Sequence, residues 1–199
     1  QFEHIADVNV KKQHTVRKSD GEAPYQGNKA CFACSIGCGR MAKIDPDHFS
    51  IKGKARYSGV TGGLEYESAY AVGPMCGVQD VEAETYASAQ CNEHGMDPIS
   101  FGATVAAAME LFMEGAITTE QTEGRDFSFG NAEALCWAAE VTGTAQGFGK
   151  DLGLGAKRLC EKYGHPEFAM VVKGQEFPGY DPRAMQGMAL GYATSNRGA

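Results

Sequence analysis

The sequence has no apolar stretch approaching the roughly 18 residues that a membrane-spanning helix needs, so contact with a membrane is not expected. It has no basic start followed by an apolar run, and therefore no sign of a secretion signal. Internal repeats and low-complexity segments are also missing. These absences predict a protein of the cytoplasm. Neither Gln1 nor Ala199 resembles a natural terminus, and we expect a piece of a longer protein.

Seven cysteines are many for this length, and an odd number argues against a secreted disulfide scaffold. Cys31, Cys34 and Cys38 place three thiols within eight residues, and thiolates are the ligands that soft metals and iron–sulfur clusters prefer. Structural zinc usually takes two ligand pairs, whereas no second C-x-x-C occurs here. A fourth ligand lies outside the sequence or comes from the remaining cysteines, which are Cys76, Cys91, Cys136 and Cys160.

Charge is unevenly distributed around the cysteine cluster. Residues 1–60 contain ten Lys and Arg against six Asp and Glu, although the net charge of the chain is −7. This basic region is either a solvated surface or a docking patch for an acidic electron carrier. A pI near 5.2, without interleaved aromatic and basic residues, argues against binding of nucleic acid.

Apolar periodicity predicts a mainly α architecture with small extended segments. Residues 1–30 read as a linker, and residues 45–63 suggest a hairpin. Asp80, Ser100 and Asn131 are the predicted N-caps of three helices that end near His94, Gly115 and Val141. Other predicted elements are helices over residues 64–73, 147–163 and 182–193 and an extended segment over residues 168–177.

Several motifs resemble, in one order, those of the tungsten-containing aldehyde:ferredoxin oxidoreductase family. The cysteine segment through Arg40 resembles the family's cluster motif, and residues 63–68 (Gly-Leu-Glu-Tyr-Glu-Ser) resemble its active-site Glu-Tyr-Glu segment. Residues 91–100 resemble its pterin-binding Asp-x-x-Gly-Leu-Asp box. Further matches are residues 108–112, 127–131, 173–183 and 191–198.

The resemblance implies a multi-helix fold of the aldehyde ferredoxin oxidoreductase type. We expect a linker over residues 1–30, a helical cluster- and pterin-binding domain over 31–165 and the start of a following helical domain over 166–199. The implied enzyme oxidises aldehydes to carboxylic acids at a tungsten (or molybdenum) bis-pterin site. It passes electrons through a [4Fe-4S] cluster to ferredoxin or a partner subunit, and we expect an oligomer.

The resemblance also assigns residues to these groups. Cys31, Cys34 and Cys38 are three of four ligands to the [4Fe-4S] cluster, and the fourth is expected beyond Ala199. Glu67 matches the acidic residue beside the metal, where it is expected to act as general base or to position water. Without the resemblance, Glu67 reads as a carboxylate that stabilises a helix N-terminus.

Four positions match pterin contacts, namely Asn92, Met96, Asp97 and Arg197. Asn92 stands where the family usually has Asp, so it cannot supply a charge there. Met96 replaces Leu at similar volume.

Three other functions remain open from the sequence. The chain could be an iron–sulfur electron-transfer module without its own catalysis, or a zinc-stabilised helical interaction domain. It could also belong to a family branch that reduces carboxylic acids or aromatic thioesters with the same cofactor. Metal analysis distinguishes the first two from the enzyme, and substrate assays distinguish the third.

Overall fold

A small antiparallel sheet carries the cysteines. The computed structural model describes residues 11–199, and its first sheet contains β1 (Tyr25–Lys29), β2 (Gly39–Lys43) and β3 (Val60–Gly62) in that order. Lys29 pairs with Gly39, so residues 30–38 form the connection between two hydrogen-bonded strands. We call residues 30–38 the cysteine loop.

The predicted hairpin over residues 45–63 is wrong. β3 lies in this range, but its partner is β2, with Met41 opposite Gly62. The intervening residues form turns and a short 3-10 helix over Ala55–Tyr57. Pro46 has no N–H for a sheet, and Gly53 adopts a φ of +79°, so this segment cannot continue as a strand.

The mainly α architecture is confirmed. The helices of the described residues are α1 (Tyr66–Val72), α2 (Val81–His94), α3 (Pro98–Met113), α4 (Ala132–Gly143), α5 (Gly149–Leu152), α6 (Ala156–Lys162) and α7 (Gln186–Thr194). No helix within residues 11–199 is long and apolar enough to cross a bilayer.

Two predicted N-caps are confirmed and one is wrong. Asp80 accepts hydrogen bonds from the N–H groups of Glu82 and Ala83, and Asn131 accepts one from Ala134. The third cap is Asp97 rather than Ser100, because α3 begins with Pro98, whose fixed φ suits the first helical turn.

In the C-terminal third of the chain, turns divide or shorten the elements that the sequence predicts. The single helix expected over residues 147–163 divides into α5 and α6, because Gly155 adopts a φ of +80° between them. The extended segment at 168–177 is a ribbon of β4 (Val171–Val172) and β5 (Gln175–Glu176). α7 begins at Gln186, four residues later than predicted.

The core lies between helices that approach closely. α2 is buried from Val81 to Cys91 and packs against α4, while α1 packs against α3. Gly102 permits the second contact, since a Cβ at this position would lie 2.3 Å from the carbonyl oxygen of Ala71. This crossing fixes the position of α1, which carries Glu67, relative to α3.

Candidate metal and catalytic site

The cysteine loop presents three thiols to solvent. Cys31, Cys34 and Cys38 are all exposed, and the Cys34 N–H donates to the Cys31 carbonyl across a tight turn at 3.1 Å. Ala33 and Gly37 adopt φ values of +57° and +60°, which curl the backbone around the segment. The short spacing seen in the sequence therefore becomes a single exposed loop.

Backbone amides of this loop point at one of the thiols. The N–H groups of Gly37 and Ile36 donate to the Cys34 sulfur, and these bonds lower its pKa. Hydrogen bonds to a thiolate stabilise the form that binds metal. The same kind of bond tunes the potential of an iron–sulfur cluster.

The other four cysteines have a different environment. All are buried in the helical core, and burial raises the pKa of Cys91 to about 12 and that of Cys160 to about 11. Burial also raises the pKa of Cys76 and Cys136. A buried thiol that resists ionisation is a poor metal ligand, so these residues act as small core side chains.

The donor set of the loop fits an iron–sulfur cluster by its chemistry. Three exposed thiols and inward-pointing amides are the groups such a cluster uses. Within residues 11–199, no three His, Cys, Asp or Glu side chains already converge on a point that could hold a metal ion. The three thiols that could bind a cluster thus lie on one exposed loop.

Glu67 lies in a second, partly buried site. It is in the first turn of α1, and its Oε2 accepts the N–H of Gly179 at 2.9 Å, across 112 residues of sequence. The hydroxyl of the following residue, Tyr180, hydrogen-bonds that of Tyr66. This bond is the main cause that raises the pKa of Tyr180 to about 12. We call these four residues the Glu67 site.

Sequence reasoning missed Gly179 and Tyr180 as members of this site. Both belong to the segment 173–183 that carries part of the family resemblance, but no role followed from it. No local pattern predicts a contact over 112 residues. The only available signal was the Gly-Tyr-Asp-Pro sequence itself, which is typical of a turn.

Three of the residues predicted to contact pterin lie in the last turn of α2 and in the turn between α2 and α3. Asn92 and Asp97 are exposed, and Met96 is half-buried against the core. Asp97 Oδ1 accepts the N–H groups of Ile99 (2.7 Å) and Ser100 (3.0 Å). The amide nitrogen of Asn92 lies beside Gly62 of β3. Asp97 therefore has a demonstrated structural role, and its second carboxylate oxygen is not used by the cap.

Arg197 lies on the C-terminal segment. It is exposed, and its Nε donates to Gln175 Oε1 at 3.3 Å in β5. Amide, carboxylate and guanidinium groups suit a polar pterin cofactor, so the chemistry of Asn92, Asp97 and Arg197 fits such a group. No contact found among the described residues joins Arg197 to Glu67 or to the cysteine loop.

Part of the basic charge near the cysteines is already paired. Lys43 contacts Glu22 at 2.7 Å, and Lys54 contacts Glu140 at 2.5 Å. Lys52 is exposed. The potential around the loop is therefore less positive than a count of Lys and Arg indicates.

A cavity of about 530 Å³ opens beside the Glu67 site. It lies between α3 and residues 168–183, and we call it the α3 cavity. Gly179 and Tyr180 form part of its wall, together with the ring of Tyr70. The carboxylate of Glu67 and an apolar chamber are thus connected through two adjacent residues.

Comparison with known proteins identifies relatives over nearly the whole chain. The family model described as aldehyde ferredoxin oxidoreductase, domains 2 and 3, matches residues 2–199. Tungsten-containing aldehyde ferredoxin oxidoreductases of Pyrococcus furiosus and Thermococcus kodakarensis are each 44% identical over 172 residues. That of Pyrococcus horikoshii is 44% identical over 174 residues. These matches cover 86% of this chain but 27% of each relative.

Proposed function

The chain belongs to the aldehyde ferredoxin oxidoreductase family, and on that premise we propose that it forms the cluster-binding and catalytic part of an enzyme that oxidises aldehydes to carboxylic acids. The observation that carries this proposal is the Glu67 site. It combines a partly buried carboxylate, a backbone donor and two phenols beside a cavity of ligand size. Such a combination suits proton transfer next to a small organic substrate.

The proposed reaction needs a base and a route for electrons. Aldehyde and water give the carboxylic acid, two protons and two electrons, as the aldehyde C–H bond breaks and a C–O bond forms. Glu67 accepts a proton or holds the water, and the Gly179 N–H fixes the orientation of its carboxylate. A tungsten–pterin group, when bound, supplies the two-electron acceptor. Asn92, Met96, Asp97 and Arg197 are the residues proposed to hold that group.

The cysteine loop is proposed to hold a [4Fe-4S] cluster from which electrons leave. Cys31, Cys34 and Cys38 supply three thiolates, and a fourth ligand comes from elsewhere in the protein. The exposure of the loop supports transfer to a ferredoxin or an electron-transfer subunit, because a donor group near the surface can be reached by a partner. This assignment separates the site where substrate is oxidised from the surface where electrons depart.

Metal analysis combined with an aldehyde-dependent assay tests the proposal. We expect the purified protein to contain tungsten or molybdenum together with iron, and to reduce ferredoxin when an aldehyde is added. Iron alone, without aldehyde-dependent reduction, would instead indicate an electron-transfer module. Zinc alone would indicate a zinc-stabilised interaction domain. Reduction of carboxylic acids or thioesters without aldehyde oxidation would place the chain in the reductive branch.

A further inference from the structure

The α3 cavity exists because one face of α3 is built from small residues. Ala103, Ala106 and Ala107 all line it, and a side chain that ends at Cβ leaves open the space that a larger one would fill. Its volume of about 530 Å³ lies within the range of small-molecule sites in proteins. The chamber is therefore large enough for a ring and not merely for a two-carbon group.

The part of the α3 cavity lining that comes from outside α3 is rich in aromatic and sulfur-containing side chains. Phe168, Met170 and Phe177 come from the segment after α6, Phe129 comes from the loop before α4, and Met75 comes from a 3-10 helix over Pro74–Cys76. Aromatic rings contact other rings favourably in edge-to-face or offset arrangements, and Met sulfur also contacts ring edges favourably. Such a wall stabilises a flat apolar ligand more than a short aliphatic one.

The chemical end of the cavity is at Gly179 and Tyr180. The backbone of Gly179 lies against the Tyr70 ring, since a Cβ there would be 2.9 Å from Tyr70 Cδ1. The N–H of Gly179 donates a hydrogen bond to the Glu67 carboxylate. A ligand in the chamber would thus meet apolar rings along its length and the Glu67 site at one end.

The charged residues at the cavity disfavour an anionic ligand. Asp181 and Arg183 pair with each other at 2.6 Å, and Glu110 adds an acidic group. The ion pair leaves no net positive charge to attract an anion. An aldehyde that carries a second carboxylate would therefore gain no charge partner from these residues.

We propose that the α3 cavity is a substrate pocket that selects neutral aromatic aldehydes over short aliphatic ones. This inference rests on the proposed function, and it assigns selectivity to the alanine face of α3 and to the aromatic wall. Ala106 is the most direct specificity-determining residue, because it is the half-exposed member of the three alanines on that face.

Binding of neutral carbonyl compounds tests the pocket without turnover. Benzamide and acetamide carry the same polar group and differ in the ring. Calorimetric titration of the full-length protein, as purified, should show benzamide binding at least about tenfold more tightly, because burial of the ring removes apolar surface from water. Equal affinities for the two amides would overturn the proposal.

Two substitutions on the same helix supply a matched pair. Ala106→Phe should fill the chamber and remove the preference for benzamide, whereas Met113→Phe, at an exposed position of α3 outside the cavity, should keep it. Thermal unfolding shows whether each variant folds.

If Ala106→Phe does not fold, Met170→Ala replaces it, and a benzamide affinity about threefold weaker is then expected because one wall contact is lost. Parental selectivity in the folded Ala106→Phe protein, or in Met170→Ala where it is used, would overturn the proposal.

Turnover separates this inference from the proposed function. If the proposed function and the aromatic selectivity are both correct, kcat/KM for benzaldehyde exceeds that for acetaldehyde, and Ala106→Phe reverses the order. Oxidation that favours acetaldehyde in the parent protein would keep the function and overturn the aromatic selectivity. Tight benzamide binding without oxidation of any aldehyde would overturn the function and leave the aromatic selectivity of the cavity in place.

Discussion

The cysteine loop spans nine residues and exposes its three thiols to solvent, whereas the Glu67 site joins residues 112 positions apart and is partly buried. In the loop, every proposed ligand comes from one short segment of the sequence. In the Glu67 site, residues far apart in the sequence are brought together by the crossing of α1 and α3 and by the segment after β5. The two regions therefore respond to substitutions in different ways.

The largest expected effect is loss of iron from the cysteine loop. Cys34→Ser should abolish iron retention, because a hydroxyl is a poor ligand for a soft metal. The unfolding free energy of metal-free protein should change by less than about 0.5 kcal/mol, since the side chain is exposed. Elemental analysis and thermal unfolding measure both. Ser35→Ala is the control in the same loop, and full iron content in Cys34→Ser would remove Cys34 from the ligand set.

The second prediction concerns chemistry at the Glu67 site. Glu67→Gln should lower kcat by about 100-fold or more, because an amide cannot accept the proton. Metal content should be unchanged. Steady-state rates together with elemental analysis test this. Glu120→Gln, at an exposed glutamate outside the Glu67 site, should keep normal rates, and full turnover by Glu67→Gln would rule out the proposed role of the carboxylate.

The third prediction disturbs the packing that holds the Glu67 site. Gly102→Ala should destabilise the protein by about 1–3 kcal/mol, because the added methyl overlaps the Ala71 backbone and pushes α1 away from α3. Gly187→Ala in α7 is the matched control, since a Cβ there meets nothing within 4 Å. It should be neutral or stabilising, by up to about 1 kcal/mol. Denaturant unfolding of both variants gives the comparison, and an unchanged Gly102→Ala would contradict the close contact.

The fourth prediction separates two roles of Asp97. Asp97→Ala should cost about 1 kcal/mol, because α3 loses its N-cap, and Asp97→Asn should keep that stability. A charged contact to pterin predicts that Asp97→Asn still lowers the tungsten or molybdenum content. Stability by thermal unfolding and metal content by elemental analysis are measured on the same samples. Full metal content in Asp97→Asn would leave Asp97 with its capping role alone.

The smallest effect is expected at an exposed lysine that follows the cysteine loop in the sequence. Lys52→Gln should slow reduction of ferredoxin about twofold at low ionic strength and not at high salt, because exposed charges steer encounters only where they are unscreened. Lys150→Gln, an exposed lysine on α5, is the control. A loss that persists at high salt would indicate a direct contact rather than steering.

Local signals account for the parts of the fold that were predicted well. Helix ends are marked by Asp80, Gly95 and Asn131 through hydrogen bonds made within a few residues. The identity of each of these residues was therefore enough to predict where a helix begins or ends. Ser100 failed as a cap because Asp97, three residues earlier, accepts the N–H groups of Ile99 and Ser100 and precedes a proline, so that Ser100 already lies in the first turn of α3. The hairpin at 45–63 failed because strand pairing is a long-range property, and β3 pairs with a strand on the other side of the intervening turns.

The sequence by itself determined the three-thiol loop, the helix-rich fold and the family. All three follow from spacing, periodicity and ordered motifs, which are properties of neighbouring residues. Only the tertiary structure decided that Gly179 and Tyr180 lie beside Glu67 and that four cysteines are buried in the core. It also decided that alanines of α3 line a cavity. Those outcomes depend on which surfaces pack together, and packing is settled by the whole fold rather than by any local pattern.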